Sequence, residues 1–380
     1  MIRKLLFGLL VLTLVLSIGA VAALFVTAPA PPPRDSESAA WLEPGPYRVG
    51  TKEMVFVDPS RPTAANGEFP GAQQRTFNTT LWYPQQATGN LPLIVHSHGL
   101  TMSRSDLEYV LRHLASYGYL VVAADFPLTN GSASGGPEPA DLVNQPADVS
   151  FLIDAVLSLI GPEKPFPGVI DLNRIGLMGY SLGGATTILV TFHPRLRDTR
   201  VSAAVSIAGL AAPFLERFYQ DVETPLLMIA GSADALVNYQ ANAAPIPERV
   251  PAGDLLTIFG GTHLGFAGLS EPYLRLVRQP DRLGCGPLLA TLDGRKTGDI
   301  FLPLVSESDG IVASGEIPDV CEIMPTEPIT HPGRQQMITR IAVLAFFESV
   351  FSSQPQRRLQ ARTELGAYLG EDFVEAVFTD

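Results

Sequence analysis

The most constraining feature of this sequence is a Gly-x-Ser-x-Gly pentapeptide at residues 179–183. It follows a short apolar run, residues 175–178, and leads into a stretch with helical character, residues 185–192. A serine between a buried strand and a helix lies on a sharp turn, and small neighbours let the strand and the helix approach closely. Gly179 and Gly183 supply that room, so Ser181 is predicted to be a nucleophile. The alternative is a Gly/Ser-rich turn without chemistry.

A serine nucleophile needs a base, and the base needs a group that orients it. In the α/β-hydrolase order the serine comes first, then an acid, then a histidine. Asp234 follows a predicted strand at residues 225–230, and His263 follows another at residues 255–259. Both therefore lie beyond the carboxyl ends of predicted parallel strands, where open α/β sheets place their sites. We expect Asp234 to orient His263, and His263 to act as the base.

Other residues compete for these two roles. Asp125 ends a predicted strand and is expected to order a turn, and Asp221 precedes its strand and so lies at the wrong end. The remaining histidines precede Ser181, belong to or follow a helix, or have no strand before them: His96, His98, His113, His193 and His331. Of these, His331 is the one rival for the base.

Attack on a carbonyl group produces an oxyanion that must be stabilised by fixed hydrogen-bond donors. One predicted donor is the backbone N–H of Leu182, directly after the nucleophile. The second is the backbone N–H of Leu100, in the loop that follows a predicted strand at residues 93–95. Gly99 is expected to let this backbone turn. His98 is expected to hold the loop by hydrogen bonding.

The chain as a whole predicts an α/β fold. A predicted antiparallel pair, residues 54–57 and 76–83, precedes a regular alternation of strands and helices, which is typical of a mostly parallel sheet with helices on both faces. Residues 105–108 have the pattern of a capping box that opens a helix. We expect the catalytic domain to span residues 47–380.

The last third of the chain departs from this alternation. Residues 275–333 contain many turn residues and no clear helix, so we interpret them as an insertion before a closing helix at residues 334–351. A short helical tail is predicted at residues 357–378. Cys285 and Cys321 both belong to the insertion and are predicted to form a disulfide, worth ~4 kcal/mol in the chain-entropy model. The alternative is a pair of buried thiols.

The N-terminus predicts export. Arg3 and Lys4 precede an apolar run at residues 5–26, which is longer than an ordinary secretory core and long enough to span a bilayer. The positive-inside rule then places the rest of the chain outside the cytoplasm. Residues 1–27 are predicted to be a signal peptide or a signal anchor, so the protein would be periplasmic or extracellular, either secreted or membrane-attached. Residues 28–46, rich in Pro, Ala and Ser, are predicted to be a linker.

Several classes of partner are disfavoured by the sequence. A net charge of −12 argues against binding to nucleic acid. No group of His, Cys, Asp or Glu has the spacing of a metal site, and no Gly-rich phosphate loop is present, so no cofactor is expected. The oligomeric state is left open.

The segments around these motifs resemble a known family. The run His96-Ser97-His98-Gly99-Leu100, the stretch at residues 141–149 and the Gly-Tyr-Ser-Leu-Gly-Gly turn are similar to the dienelactone hydrolase-like branch of the α/β-hydrolase superfamily. Within that branch the chain most resembles platelet-activating-factor acetylhydrolases and bacterial polyester-cleaving, cutinase-like esterases. The resemblance covers roughly residues 49–265.

Two departures limit what the resemblance implies. Dienelactone hydrolases use a cysteine nucleophile, whereas this chain has Ser181, which favours ester hydrolysis. In the mammalian acetylhydrolases the acid comes from the end of the strand after the nucleophile helix, where this chain has Ala208 and Gly209. Asp234 instead matches the later position of the bacterial esterases.

These observations predict a serine carboxylic-ester hydrolase that works through an acyl-enzyme and acts on a small-molecule or lipid-like ester. One alternative is a lipase or phospholipid acetylhydrolase at a membrane surface. Another is a hydrolase fold without catalysis that serves as a binding module. The substrate pocket is expected to be lined by residues 129–139, residues 213–221 and the insertion.

Overall fold

The computed structural model describes residues 27–160, 164–313 and 317–380, together with Leu6, Leu10, Thr13, Ser17 and Gly19. The apolar run at residues 5–26, predicted to be a signal peptide or anchor, otherwise lies outside the described residues. Among the residues that are described, no helix has the length and apolar character that crossing a membrane requires.

The described residues form one nine-stranded sheet. Its strands are β1 (Val49–Asp58), β2 (Arg75–Pro84), β3 (Asn90–Ser97), β4 (Leu120–Ala124), β5 (Val169–Tyr180), β6 (Val201–Ile207), β7 (Leu226–Gly231), β8 (Gly253–Ile258) and β9 (Ala376–Thr379). Their order across the sheet is β1-β2-β4-β3-β5-β6-β7-β8-β9. The strands β4, β3, β5, β6, β7 and β8 run parallel, while β1, β2 and β9 pair antiparallel at the two edges. The predicted initial antiparallel pair and the parallel sheet are confirmed.

Helices cover both faces of the sheet. Successive side chains of each central strand point to opposite sides, and because both sides are apolar, both need to be covered. On β5, Met178 and Tyr180 join the core on one face, whereas Ile175 and Leu177 join the core on the other. The longer helices are α1 (Glu37–Leu42), α2 (Glu108–Ser116), α3 (Gln145–Leu157), α4 (Leu182–Phe192), α5 (Asp281–Leu292), α6 (Pro332–Phe351) and α7 (Pro355–Thr363). The fold is that of the α/β-hydrolases.

Shorter helical pieces connect these elements. Single α-turns lie at Glu216–Tyr219, Tyr239–Asn242, Ile246–Arg249, Ser270–Tyr273 and Leu369–Asp372, 3-10 segments at Pro139–Asn144, Leu264–Phe266 and Thr297–Leu304, and a π-helical turn at Glu364–Tyr368.

The predicted capping box at residues 105–108 is wrong. Leu107 precedes the first helical residue of α2, and no side chain caps this helix. The carboxylate of Asp106 is instead directed towards the end of β3, where it accepts hydrogen bonds from His96 and from the Gly99 backbone. A local capping pattern was outweighed here by a tertiary contact.

The prediction of a linker at residues 28–46 is wrong for its second half. This part forms α1, and Trp41 is buried in the same core cluster as α6. The guanidinium group of Arg357, on α7, lies over the Trp41 ring at 3.8 Å from its centroid. The segment is therefore part of the packed domain.

The insertion at residues 275–333 contains regular structure, contrary to expectation. It includes α5 and the 3-10 segment Thr297–Leu304. Gly284, Gly286 and Pro287 within α5 are poor helix formers, which explains why the sequence pattern did not indicate a helix there. The predicted disulfide between Cys285 and Cys321 is confirmed.

The end of the chain also differs from its prediction. Only α7 and the turns after it are helical, and the last residues form β9, which pairs antiparallel with β8. A strand of four residues is too short to show a recognisable alternation of apolar and polar residues.

A buried ionic cluster joins the start of β2 to α3. Arg75, which is 1% exposed, donates to Asp148 at 2.6 and 2.8 Å and to Asp141 at 2.7 and 3.2 Å. Arg61 adds a further contact to Asp148 at 2.8 Å. The two aspartates belong to the stretch at residues 141–149 that resembles the hydrolase branch, so this stretch has a structural reason for its composition.

Replacing Arg75 with methionine should lower the free energy of unfolding by ~3–5 kcal/mol, because Asp141 and Asp148 would stay buried without their main partner. Urea denaturation followed by circular dichroism measures this change. As a matched control, Arg195→Met removes an exposed pair with Asp309 and should cost less than ~1 kcal/mol. Equal effects of the two substitutions would contradict the assignment of the buried cluster as a stabilising element.

Candidate active site

The turn between β5 and α4 holds Ser181 in a backbone conformation that residues other than glycine rarely adopt, with φ 56°. The surrounding glycines permit this turn. A Cβ atom on Gly183 would lie 2.0 Å from the Ser97 carbonyl oxygen, and one on Gly179 would lie 1.9 Å from the Gly183 carbonyl oxygen. Both positions therefore need glycine for the close approach of the chain segments.

Ser181, His263 and Asp234 are connected by hydrogen bonds. The Ser181 hydroxyl lies 2.9 Å from His263 Nε2, and His263 Nδ1 lies 2.7 Å from Asp234 Oδ2. With Nδ1–H donating to the carboxylate, Nε2 is free to accept the serine proton. The other carboxylate oxygen of Asp234 accepts from the backbone N–H groups of Leu236 and Val237 at 2.8 and 2.7 Å. The orientation of Asp234 is thus set by its own loop.

The surroundings of His263 favour its charged form despite its burial. Burial acts to lower the pKa of His263, but the charge and hydrogen bond of Asp234, together with the charge of Asp281, raise it above the ordinary value. Tyr180 adds a positional restraint, because its hydroxyl donates to the His263 carbonyl oxygen at 2.9 Å and its ring stacks on the imidazole.

The rival residues have other partners. His331 precedes α6, where its Nδ1 accepts from the Gly333 N–H and its Nε2 lies 2.9 Å from the Thr27 carbonyl oxygen. Asp125 forms an ion pair with Arg104. Asp221 is exposed in the turn before β7.

The two predicted oxyanion donors come from separate elements. Leu182 is the first residue of α4, and the first N–H groups of a helix have no partner within the helix. Leu100 lies in the loop after β3, and within the described part of the chain its N–H donates to no protein acceptor. Both residues are largely buried.

His98 and Gly99 shape the loop that carries Leu100. His98 Nε2 accepts from the Phe126 N–H at 3.0 Å, and its Nδ1 therefore donates to the Gly99 carbonyl oxygen at 2.8 Å. Burial lowers the pKa of His98, which keeps this ring neutral. Its contacts are those of a residue that holds a loop.

Two carboxylates at this site were missed at the level of sequence. Asp106 accepts from the Gly99 N–H at 3.0 Å and from buried His96 at 2.6 Å, so it supports the Leu100 loop. Asp281, on α5 of the insertion, contacts the loops that carry Asp234 and His263. Asp106 was hidden within an apparent capping pattern, and no motif marks Asp281.

Ser181 lines a cavity of about 200 Å³, and α5 forms part of the wall of this cavity. Its lining includes Ser181, His263, the predicted oxyanion residue Leu100, and three residues of α5: Gly284, Pro287 and Leu288. A groove of about 760 Å³ adjoins it and shares Thr101 and Met102 with it. The insertion therefore borders the cavity as expected, and the loop at residues 129–139 borders the adjoining groove.

The expectation that residues 213–221 line the pocket is wrong. Phe214, Phe218 and Tyr219 are buried in the hydrophobic core, because their aromatic rings pack against one another and against Phe192 and Phe301. As for metals, the described residues contain no group of three or more His, Cys, Asp or Glu that could hold an ion.

Comparison with known proteins places residues 59–269 in the family described as PET hydrolase-like. The chain is 26% identical to a bis(hydroxyethyl) terephthalate hydrolase from Streptomyces coelicolor over 58% of this chain and 60% of the relative. It is also 26% identical to the cutinase est1 of Thermobifida alba, over 46% of this chain and 52% of the relative. The chain thus spans 51–64% of the length of such curated relatives.

Among solved structures, a ferulic acid esterase from Streptomyces cinnamoneus matches with a TM-score of 0.56 and 21% identity. The match covers 88% of this chain and 97% of that one. At this identity the similarity supports the fold.

The Asp234→Asn substitution should lower the pKa of His263, because it removes the charge that most favours the imidazolium. NMR titration of the histidine side chains measures this change, with the remaining histidines as internal references. The matched control is Asp254→Asn, which removes a carboxylate at the start of β8 that pairs with Arg362. It should leave the pKa of His263 unchanged. If the pKa of His263 were the same in both variants, Asp234 would not be its electrostatic partner.

Proposed function

The chain belongs to the PET hydrolase-like family, and we propose that it is a serine carboxylic-ester hydrolase. In this proposal Ser181 is the nucleophile, His263 the general base and acid, and Asp234 the group that orients His263. The backbone N–H groups of Leu100 and Leu182 form the oxyanion hole. The observation that carries the proposal is the unbroken line of hydrogen bonds from Asp234 through His263 to Ser181 at the wall of a cavity.

The first half of the reaction forms an acyl-enzyme. Ser181 Oγ attacks the ester carbonyl carbon while its proton passes to His263 Nε2, and the carbonyl π electrons move onto oxygen. The resulting oxyanion accepts hydrogen bonds from the two backbone N–H groups, and the positive imidazolium is stabilised by Asp234. The intermediate collapses, the bond to the alcohol oxygen breaks, and His263 gives its proton to the departing alcohol.

The second half releases the acid. A water molecule transfers a proton to His263 Nε2 as it attacks the acyl carbon, which forms a second oxyanion in the same hole. On collapse the bond to Ser181 Oγ breaks and the proton returns from His263 to Oγ. The carboxylic acid leaves and the starting state is restored. Despite burial, the charge and hydrogen bond of Asp234 raise the pKa of His263 above its ordinary value, which favours proton transfer from Ser181 to this imidazole.

The relatives support ester hydrolysis as the reaction class. Those described above are named a bis(hydroxyethyl) terephthalate hydrolase and a cutinase. Their alignments extend over only part of each protein, so the substrate of this chain must be inferred from its own cavity. A cavity of about 200 Å³ is smaller than the roughly 300–1,000 Å³ of pockets that enclose drug-sized ligands. If the acyl group attacked by Ser181 occupies this cavity, its size favours a short acyl group over a long fatty chain.

We further propose that the protein acts outside the cytoplasm. The disulfide between Cys285 and Cys321 supports this location, because disulfides persist in oxidising compartments. Attachment to a membrane through residues 5–26 stays a prediction.

A fluorophosphonate probe should label the wild-type protein covalently, and Ser181→Ala should abolish the labelling, because only an activated serine reacts with such probes. In-gel fluorescence and mass spectrometry of the labelled peptide measure the result. Ser158→Ala is the matched control. Ser158 is an exposed serine directly after α3 whose hydroxyl donates to the Ala155 carbonyl oxygen, and the variant should label like the wild type. Absence of labelling in the wild type would favour a binding module without catalysis.

Hydrolysis of p-nitrophenyl esters should become slower as the acyl chain lengthens, with kcat/KM for the hexadecanoate roughly tenfold or more below that for the butanoate. Leu288→Ala should reduce this preference, since it removes part of the cavity wall. Leu289→Ala, at an exposed position on the same helix, should not. An acetylated phospholipid tested beside the series distinguishes a phospholipid acetylhydrolase from an esterase of small molecules. Faster turnover of the long-chain p-nitrophenyl esters would contradict a short-acyl substrate.

A further inference from the structure

Asp281 is a fully buried carboxylate that belongs neither to the proposed catalytic triad nor to the part of the chain that matches the family. Its two oxygens accept three backbone hydrogen bonds. Oδ2 accepts from the N–H groups of Ala235 at 3.0 Å and His263 at 2.9 Å, and Oδ1 accepts from the N–H of Leu264 at 2.8 Å.

These donors belong to two different loops. Ala235 directly follows Asp234, in the loop after β7, whereas His263 and Leu264 lie in the loop after β8. One carboxylate therefore ties together the backbones that carry Asp234 and His263. The side chains of Asp234 and His263 lie next to these hydrogen bonds. A displacement of either loop would therefore change the distance between the imidazole and the carboxylate of Asp234.

The helix that carries Asp281 is itself anchored beside this site. Cys285, one turn further along α5, forms the disulfide with Cys321. The backbone N–H of Cys321 donates to the Ala235 carbonyl oxygen at 2.8 Å. Ala235 is thus held through its N–H by Asp281 and through its carbonyl by the residue at the other end of the disulfide.

We propose that Asp281 is a positioning residue of the insertion, which holds the loops of Asp234 and His263 in the arrangement that the reaction requires and adds negative charge beside the imidazole. This inference rests on the proposed function. It assigns to the insertion a part in the chemistry in addition to its part in the cavity wall.

Asp281 affects His263 in two ways: through the backbone hydrogen bonds described above and through its negative charge. The titratable groups that face Asp281 are Asp234, His263 and Tyr180. Burial raises the pKa of Asp281 to about 6, and the neighbouring charge of Asp234 adds to this effect. Above that pH the carboxylate is ionised and favours the imidazolium form of His263. Removing the charge should therefore lower the pKa of His263.

The test is Asp281→Asn in the full chain, with kcat and KM measured on p-nitrophenyl butanoate across pH. An asparagine can accept hydrogen bonds with its oxygen, but its NH₂ group would face a backbone N–H, so the connection between the two loops is weakened. We expect kcat to fall by about tenfold or more with KM changed by less than about threefold, since the effect falls on the alignment of the reacting groups. The acid limb of kcat/KM should move to lower pH, because the imidazole then stays neutral at lower pH.

A matched control is Asp299→Asn, which also removes an insertion carboxylate that accepts a backbone hydrogen bond, at Lys296. It should leave kcat and the acid limb unchanged. Thermal unfolding reports the folded state of each variant. If the Asn variant folds poorly, Asp281→Glu gives a second test, since it keeps the charge on a longer side chain and should lower kcat while leaving the acid limb in place.

The outcomes separate the two proposals. A wild-type protein with no Ser181-dependent hydrolysis would overturn the proposed function. If the wild type hydrolyses the ester through Ser181, while Asp281→Asn retains its kcat or its acid limb, the positioning role alone is overturned. The same holds if the loss of kcat only matches the loss of folded protein.

Discussion

The hydrogen bonds between Asp234, His263 and Ser181 depend on the spacing of three loops that leave three different strands. Ser181 follows β5, Asp234 follows β7 and His263 follows β8, and in the sheet β6 lies between β5 and β7. Parallel strands place all their carboxyl ends at one edge, about 4.8 Å apart from strand to strand, so side chains from these loops can meet there. His263 spans the remaining distance between the acid and the serine. Its burial keeps water away from its hydrogen bond to Asp234, which strengthens that bond.

Loops are usually the mobile part of such a fold, and here buried polar groups restrain them. Asp106 fixes the turn at Gly99, Asp281 joins the loops after β7 and β8, and Tyr180 holds the backbone of His263. Each of these acceptors or donors bonds to the backbone, so the restraint acts on the path of the chain as well as on a side chain. Carboxylates suit this role because one group accepts several N–H bonds at once.

The insertion is the reason to infer the substrate from the cavity of this chain and not from its relatives. The family match ends at residue 269, before α5 begins. Gly284, Pro287 and Leu288 of α5 form part of the wall around Ser181, and the disulfide from Cys285 tethers the same helix beside the loop of Asp234. The proposed nucleophile thus lies in the part of the fold that the family shares, whereas the shape of the cavity depends on a segment outside that part.

Sequence alone was sufficient for the α/β architecture and for proposing Ser181, Asp234 and His263. The turn at Ser181 needs glycines at particular positions. Asp234 and His263 each come shortly after an apolar run that indicates a buried strand, so each can be recognised from its own neighbourhood in the sequence. It also indicated the disulfide. It did not indicate α5, since glycines and a proline mask its periodicity, nor α1 and β9, which are too short to show one. The backbone contacts of Asp106 and Asp281, and the burial of Phe214, Phe218 and Tyr219, were decided only by tertiary structure. A carboxylate that binds backbone groups from distant loops has no pattern in its own neighbourhood, so its partners become known only when the chain has folded.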